Sequence, residues 1–328
     1  MPEFSRREFL AAGAGAAALP LIESEAKARI PRRKMGKTGL SVSILGLGGG
    51  SQFLKACGND DEAIELVSAA IDGGINYLDS AWGYGNGESL RRYGLVVGKR
   101  RAEVYLTSKT GQRARDGALR EVESSLKNLR TDHIDVMQIH DIKPDEDVER
   151  ILANDGVYRA LLELKAQKVV GAVGITGHAS VLKMRALLDR MEELDTLLCP
   201  VNPAQDSRHY IPAREPANPE GHFKQTLLPA ARRRGVGIIA MKTTAQGELI
   251  GEGPGKADVA TLIRFAMSEP GVSVAIVGPG SLANLKKNLE TAQNFAPLTG
   301  EDRKRLVAQV TLPNRAFAYE AAVYHDRC

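Results

Sequence analysis

Four side chains of this 328-residue sequence have types and spacing that could move a proton: Asp79, Tyr84, Lys109 and His140. Asp79 and Tyr84 share one short segment, Asp79-Ser80-Ala81-Trp82-Gly83-Tyr84-Gly85, while Lys109 ends the run Leu106-Thr107-Ser108-Lys109 and His140 ends Met137-Gln138-Ile139-His140. Taken singly, a strand-end carboxylate or lysine is an ordinary solvated or ion-paired residue. Taken together, they can form a donor relay. A phenol ionises near pH 10, so it gives up a proton at neutral pH only beside a cation, and Lys109 is the candidate cation. Asp79 would hold that ammonium charged and oriented, and His140 would bind a substrate oxygen or steer the proton.

These residues cooperate only if the chain carries them to one place. From Ser43 onward, short apolar runs alternate with helical stretches. Strands are expected near 43–47, 75–79, 104–108, 134–139, 170–175, 196–199, 236–241 and 272–277, and helices over 60–72, 87–97, 116–129, 155–167, 180–189, 223–234, 257–268 and 281–291. Eight strand–helix units predict an α/β fold of the closed (β/α)8 TIM barrel type, whose chemistry sits on the loops at the C-terminal strand ends. The turn Lys37-Thr38-Gly39 predicts a hairpin plugging the opposite end. Two stretches stand outside the rhythm. One is the proline-rich segment 200–222. The other is the tail from Thr299, which opens with a capping-like Thr-x-x-Asp pattern and carries Phe317, Tyr319, Tyr324 and His325.

Glycine patterns test the rival dinucleotide fold. Gly46-Leu47-Gly48-Gly49-Gly50-Ser51 lacks the third fingerprint glycine, and Gly278-Pro279-Gly280-Ser281-Leu282-Ala283 lies too near the C-terminus to start a Rossmann half. In a barrel, the latter turn would instead present helix N–H groups to a phosphate.

Composition narrows the remaining choices. With 44 Lys plus Arg against 40 Asp plus Glu, a formal charge of +4 and 43% hydrophobic residues, the chain is ordinary globular sequence without a basic tract for nucleic acid. Cys57, Cys199 and Cys328 are widely spaced, which excludes a disulfide scaffold and a Cys-x-x-Cys site, and no strand-end His/Asp cluster has metal-ligand spacing. Residues 1–28 read as a twin-arginine signal peptide. Arg6-Arg7 precede Phe9-Leu10, an Ala/Gly-rich run too short to span a membrane follows, and Ala26-Lys27-Ala28 has the small-residue spacing of a cleavage site. A barrel with its C-terminal tail is then expected over 29–328. The expected partners are the twin-arginine export machinery and a small-molecule substrate, with no stable membrane anchor and a periplasmic or otherwise exported location; the oligomeric state is left open.

The segment Asn76-Tyr77-Leu78-Asp79-Ser80-Ala81-Trp82-Gly83-Tyr84-Gly85 resembles the Asp-Thr-Ala-x-x-Tyr-Gly motif of the aldo-keto reductases, with Ser80 for Thr, and Lys109 and His140 fall on that family's catalytic lysine and histidine. The resemblance runs from about Arg33 to Gln293. It implies NADPH-dependent reduction of an aldehyde or ketone to an alcohol, with Tyr84 as proton donor, Lys109 and Asp79 tuning it, and His140 orienting the substrate. It also implies cofactor positions. Gly48, Gly49 and Gly50 would lie against the nicotinamide end; Thr176 would keep a hydroxyl contact to the carboxamide; Gly177 lacks the amide of the family's asparagine, which Asn202 could supply. Met241 would pack where a tyrosine commonly stacks, and Lys242 could reach a phosphate. Gly278, Gly280, Ser281, Asn284 and Asn288 match the phosphate and adenosine segment in kind or position. Lys287 stands where an acidic residue often contacts adenine. Ser281, Lys286 and Lys287 favour NADP over NAD. Trp82, with Arg208, His209 and Tyr210, would line the substrate pocket. The alternative function is a cofactor-binding sensory or accessory subunit with the same fold and weak catalysis, distinguished by tight cofactor binding without multiple turnover.

Overall fold

The computed structural model describes residues 29–178, 180–206 and 223–310. Residues 1–28, read above as a twin-arginine signal, and Arg208, His209, Tyr210, Phe317, Tyr319, Tyr324, His325 and Cys328 lie outside the described residues.

Two short strands, β1 (Arg32–Lys34) and β2 (Ser41–Ser43), pair antiparallel. Eight more follow: β3 (Leu45–Gly48), β4 (Tyr77–Asp79), β5 (Tyr105–Thr110), β6 (Ile134–Ile139), β7 (Val170–Thr176), β8 (Thr196–Pro200), β9 (Gly237–Met241) and β10 (Val272–Val277). Among the described residues these eight are parallel and close into a barrel, β10 pairing with β3. Almost every barrel-strand residue is buried on one face or the other, as a sheet lined inside and covered outside by helices requires. All eight expected strands are present.

The eight expected helices are present too, with ends moved by a few residues. Polar caps start several of them. Asn59 accepts from the Glu62 amide ahead of Asp60–Asp72, Asp258 from Thr261 ahead of Val259–Ser268, and Ser281 from Asn284 ahead of Leu282–Gln293. The Thr299 pattern is a true capping box: Asp302 N donates to Thr299 Oγ1 and Thr299 N to Asp302 Oδ2, opening the helix Gly300–Val310.

Three departures have local causes. Ser43 belongs to the hairpin rather than the first barrel strand, because its amide donates to Asn76 Oδ1 and its hydroxyl to Leu45 O, interrupting the ladder. The helix expected over 223–234 opens as a wider turn at Phe223–Leu227 before regular helix at Leu228–Arg233, where Pro229 has no amide to give. Ser51–Ala56 adds a short helix after β3. The hairpin does plug the barrel floor. Lys37 N donates to Gly235 O just before β9, and Gly36 (φ +50°) passes so close that a β-carbon there would fall 2.3 Å from that same carbonyl oxygen.

Candidate active site

The mouth of the barrel gathers the four residues from three strand ends and one loop. Asp79 ends β4, Lys109 is the penultimate residue of β5, His140 follows β6, and Tyr84 sits on the turn after β4. Lys109 Nζ donates to Asp79 Oδ2 at 2.6 Å, to the Ser80 carbonyl at 2.9 Å and to the Tyr84 hydroxyl at 3.4 Å. Lysine and aspartate are fully buried. The Tyr84 and His140 rings meet edge to face with centroids 5.7 Å apart. Burial raises the Asp79 carboxyl above its ordinary value, while Lys109 pulls it the other way. Burial also lowers His140 well below the usual imidazole range, helped by the Lys109 charge and by His178, Arg113 and Lys143, so the ring is neutral at pH 7. A neutral imidazole carries one N–H, which makes it a donor to a carbonyl oxygen rather than a second cation.

Local chemistry fixes this geometry. Glu121, buried on the helix Arg115–Leu129, accepts from Thr110 Oγ1, Gly111 N and Gln112 Nε2, pinning the chain just beyond Lys109. Arg113 pairs bidentately with Glu146 and donates to the carbonyls of His140 and Asp141, holding the turn that starts at His140. Asp141 there is left-handed, with φ +56°. Neither Glu121 nor Arg113 was legible as a site residue; a charged side chain on the inner face of an amphipathic helix is the only trace Glu121 leaves in the sequence. Gln138 was also missed, although an amide two residues before His140 in an otherwise apolar strand core is a visible signal.

The remaining predicted positions fall around the same mouth. A β-carbon on Gly50 would lie 3.8 Å from the Tyr84 ring, on Gly49 2.5 Å from Ser89 Oγ, and on Gly48 3.1 Å from the Gly278 amide nitrogen, so Gly48 passes close to the β10 end, Gly49 close to the helix Glu88–Arg100, and Gly50 beside Tyr84. Trp82, half-buried, donates its backbone amide to Lys109 O. Thr176 ends β7 with its hydroxyl buried and without a hydrogen-bond partner among the described residues. Gly177 follows, and a β-carbon there would sit 2.6 Å from Met184 Sδ and 3.0 Å from Ile142 O, so a side chain there would have to displace Met184. Asn202 donates its amide to Lys242 O at 3.0 Å, tying the loop after β8 to that after β9. Met241 is buried at the end of β9, and Lys242, half-buried, has φ +53°. Gly278 and Gly280 lead from β10 to Ser281, the cap described above. Asn284, Lys286 and Lys287 are exposed on the following helix, while Asn288 is buried against the barrel.

Comparison with known proteins gives the family and the fold. A model of the aldo/keto reductase family matches residues 45–261, more than half of the chain. The chain is 28% identical to the uncharacterized oxidoreductase YqkF of Bacillus subtilis over 305 residues, covering 84% of this chain and 95% of that protein. Among solved structures, the aldo-keto reductase AKR11C1 of Bacillus halodurans in its holo form superposes with a TM-score of 0.69 at 21% identity, over 88% of this chain and 99% of that one. An aldo/keto reductase of Klebsiella pneumoniae in complex with NADP and acetate does so with 0.66 at 20% identity, over 84% and 94%. At such identities the structural likenesses show the fold.

Proposed function

The chain belongs to the aldo/keto reductase family of oxidoreductases, and from that premise we propose that it reduces an aldehyde or ketone to an alcohol with NADPH, using Tyr84 as proton donor. The observation that carries the reading is the buried Lys109 ammonium, 2.6 Å from Asp79 and 3.4 Å from the Tyr84 hydroxyl.

The mouth suits such a cofactor on the protein's own terms. The Thr176 hydroxyl is a buried polar group awaiting a partner, Gly50 keeps a side chain away from the Tyr84 ring, and Gly280, Ser281 and the N-terminus of Leu282–Gln293 offer amides and a positive dipole end to a phosphate. Asn202 and Lys242 would hold the nicotinamide side with Met241 packed beneath, and Asn284 and Asn288 the adenosine side. Lys286 and Lys287, exposed on the helix that Ser281 caps, supply the charge by which NADP is preferred to NAD. The NADP bound by the Klebsiella pneumoniae enzyme supports the choice. NADPH, when bound, supplies the hydride.

The chain's residues do the rest. His140, neutral, donates to the substrate oxygen and sets it beside the Tyr84 hydroxyl. Tyr84 gives that oxygen its proton as negative charge develops there. The Lys109 ammonium, held by Asp79 and the Ser80 carbonyl, stabilises the phenolate left behind. Trp82 flanks the entrance on the same loop as Tyr84.

The test is NADPH consumption with a panel of aldehydes, ketones and quinones. Turnover with at least one, falling about 10²- to 10⁴-fold in Tyr84→Phe with cofactor binding retained, is the expected result. No turnover, or full activity in the variant, refutes it. The proposal includes export of the folded protein through the twin-arginine machinery to the periplasm, motivated by Arg6-Arg7 and Ala26-Lys27-Ala28. Cell fractionation of wild type against Arg6→Lys/Arg7→Lys checks this, and equal export of both sinks it.

A further inference from the structure

An apolar cluster fills much of the lumen: Tyr77, Val136, Ala172, Leu198, Ile239 and Val274 pack with Met35 and Val42 of the hairpin. Strand alternation puts Asp79, Thr107, Lys109, Gln138 and Thr196 on that same inward face, in a polar band that crosses from Asp79 near the mouth to Thr196, which precedes Leu198 on β8. Register makes them neighbours. Asp79 lies opposite Thr107, Lys109 opposite Gln138, and Gln138 and Thr196 flank Gly174 from either side. A β-carbon on Gly174 would be 2.2 Å from Thr196 Oγ1 and 2.9 Å from Gln138 Cγ, so the two side chains converge in the space the glycine leaves.

Several polar atoms of this band are buried and unmatched. Both amide atoms of Gln138, the hydroxyl of Thr196 and Asp79 Oδ1 have no hydrogen-bond partner among the described residues, and Gln138 is fully buried, while the Tyr77 hydroxyl is partnered by Thr107. Four such atoms together would be costly if left bare, and native interiors satisfy clusters of this kind with ordered water. Donors and acceptors are both represented: the amide and the hydroxyl donate, and the carboxylate oxygen accepts.

We propose that this band is an internal water-binding site beneath the Lys109 ammonium, that its water donates to Asp79 Oδ1, and that Gln138, by holding that water, is a positioning residue for the Asp79–Lys109 pair. The water site stands on the band alone; its bearing on turnover rests on the proton-donor reading of Tyr84. The titratable groups around it are Tyr77 and Asp79 of β4 and Lys109 of β5, with Tyr84 and His140 above. Without the water, the ionised form of Asp79 loses a hydrogen bond. The pair then carries more net positive charge, and Tyr84 deprotonates more readily.

Two measurements decide it, and they fail separately. A high-resolution crystal structure of the full-length protein should show ordered water bonded to Gln138 and Asp79 Oδ1, and Gln138→Leu should lose it. A dry band, with the Gln138 amide bonded directly to Thr107 or Thr196, overturns the proposal whether or not the protein is a reductase. In the pH profile of NADPH-dependent kcat, the basic limb of Gln138→Leu should move down by roughly half to one unit while the KM for NADPH stays put. A profile superimposing on wild type overturns the positioning role. Should Gln138→Leu fold poorly, the isosteric Thr196→Val should shift the limb the same way by less, and no shift there overturns the role equally.

Discussion

Removing the charge of Lys109 should separate the structural value of the buried pair from its catalytic value. In Lys109→Met, Asp79 keeps its buried position but loses the ammonium at 2.6 Å. Burial already raises the Asp79 carboxyl, and without Lys109 it rises further. A carboxyl raised above its unfolded value of about 3.9 stabilises the fold fully only below that pH, and the contribution is lost as pH climbs toward the folded value. Breaking a buried pair costs about 3–5 kcal/mol, and here that cost grows as pH rises and the unpaired carboxyl is driven to ionise. The variant should therefore approach wild-type stability near pH 4 and fall short by about 3–5 kcal/mol at pH 7, measured from urea midpoints with an unchanged slope. Asp79→Asn strands the ammonium instead and should be comparably unstable at pH 7. The double variant Asp79→Asn/Lys109→Met removes both charges and should recover most of the loss, while turnover stays depressed by about 10²-fold or more in all three. Single variants as stable as wild type at pH 7, or a double variant no better than either, would refute a pair whose members compensate each other's burial.

Two further outcomes follow from the geometry. His140 is neutral in the fold because burial and Lys109 hold it well below the usual imidazole value, so the unfolded chain takes up the extra proton as pH falls. Stability should drop below about pH 6.5, by about 1 kcal/mol at pH 5.5 relative to His140→Gln, and parallel curves for the two proteins would contradict the assignment. Gly177→Ala puts a methyl group 2.6 Å from Met184 Sδ and 3.0 Å from Ile142 O. Overpacking of this kind should cost about 1–3 kcal/mol, part of it recovered by Met184→Ala in the same chain, as read from melting temperatures.

Much of the site was legible because its chemistry is carried by residue types at strand ends. The order Asp79, Tyr84, Lys109, His140 along alternating strands and helices pointed to both the barrel and the mouth at which they meet, and the Thr-x-x-Asp pattern at Thr299 marked where the helix Gly300–Val310 begins. Ser43 and the turn at Phe223–Leu227 were not legible. In both places the local pattern reads as regular structure, and long-range bonds from Asn76 or a missing proline amide decide otherwise. Glu121 and Arg113 escaped for a related reason: their partners are carbonyls, amides and side chains of other segments, and a charged residue in an amphipathic helix or a loop carries no mark of what it will touch.

By itself the sequence determined which elements form and which reactive groups stand at their ends, since strand alternation, helix caps and glycine turns are properties of neighbouring residues. Only tertiary structure decided the electrostatic state of those groups. Closing β10 onto β3 removes Asp79 and Lys109 from water and leaves His140 half-buried, and it is desolvation acting on charges a few ångströms apart that leaves the imidazole neutral, the carboxylate and ammonium dependent on each other, and Gln138 buried in the lumen.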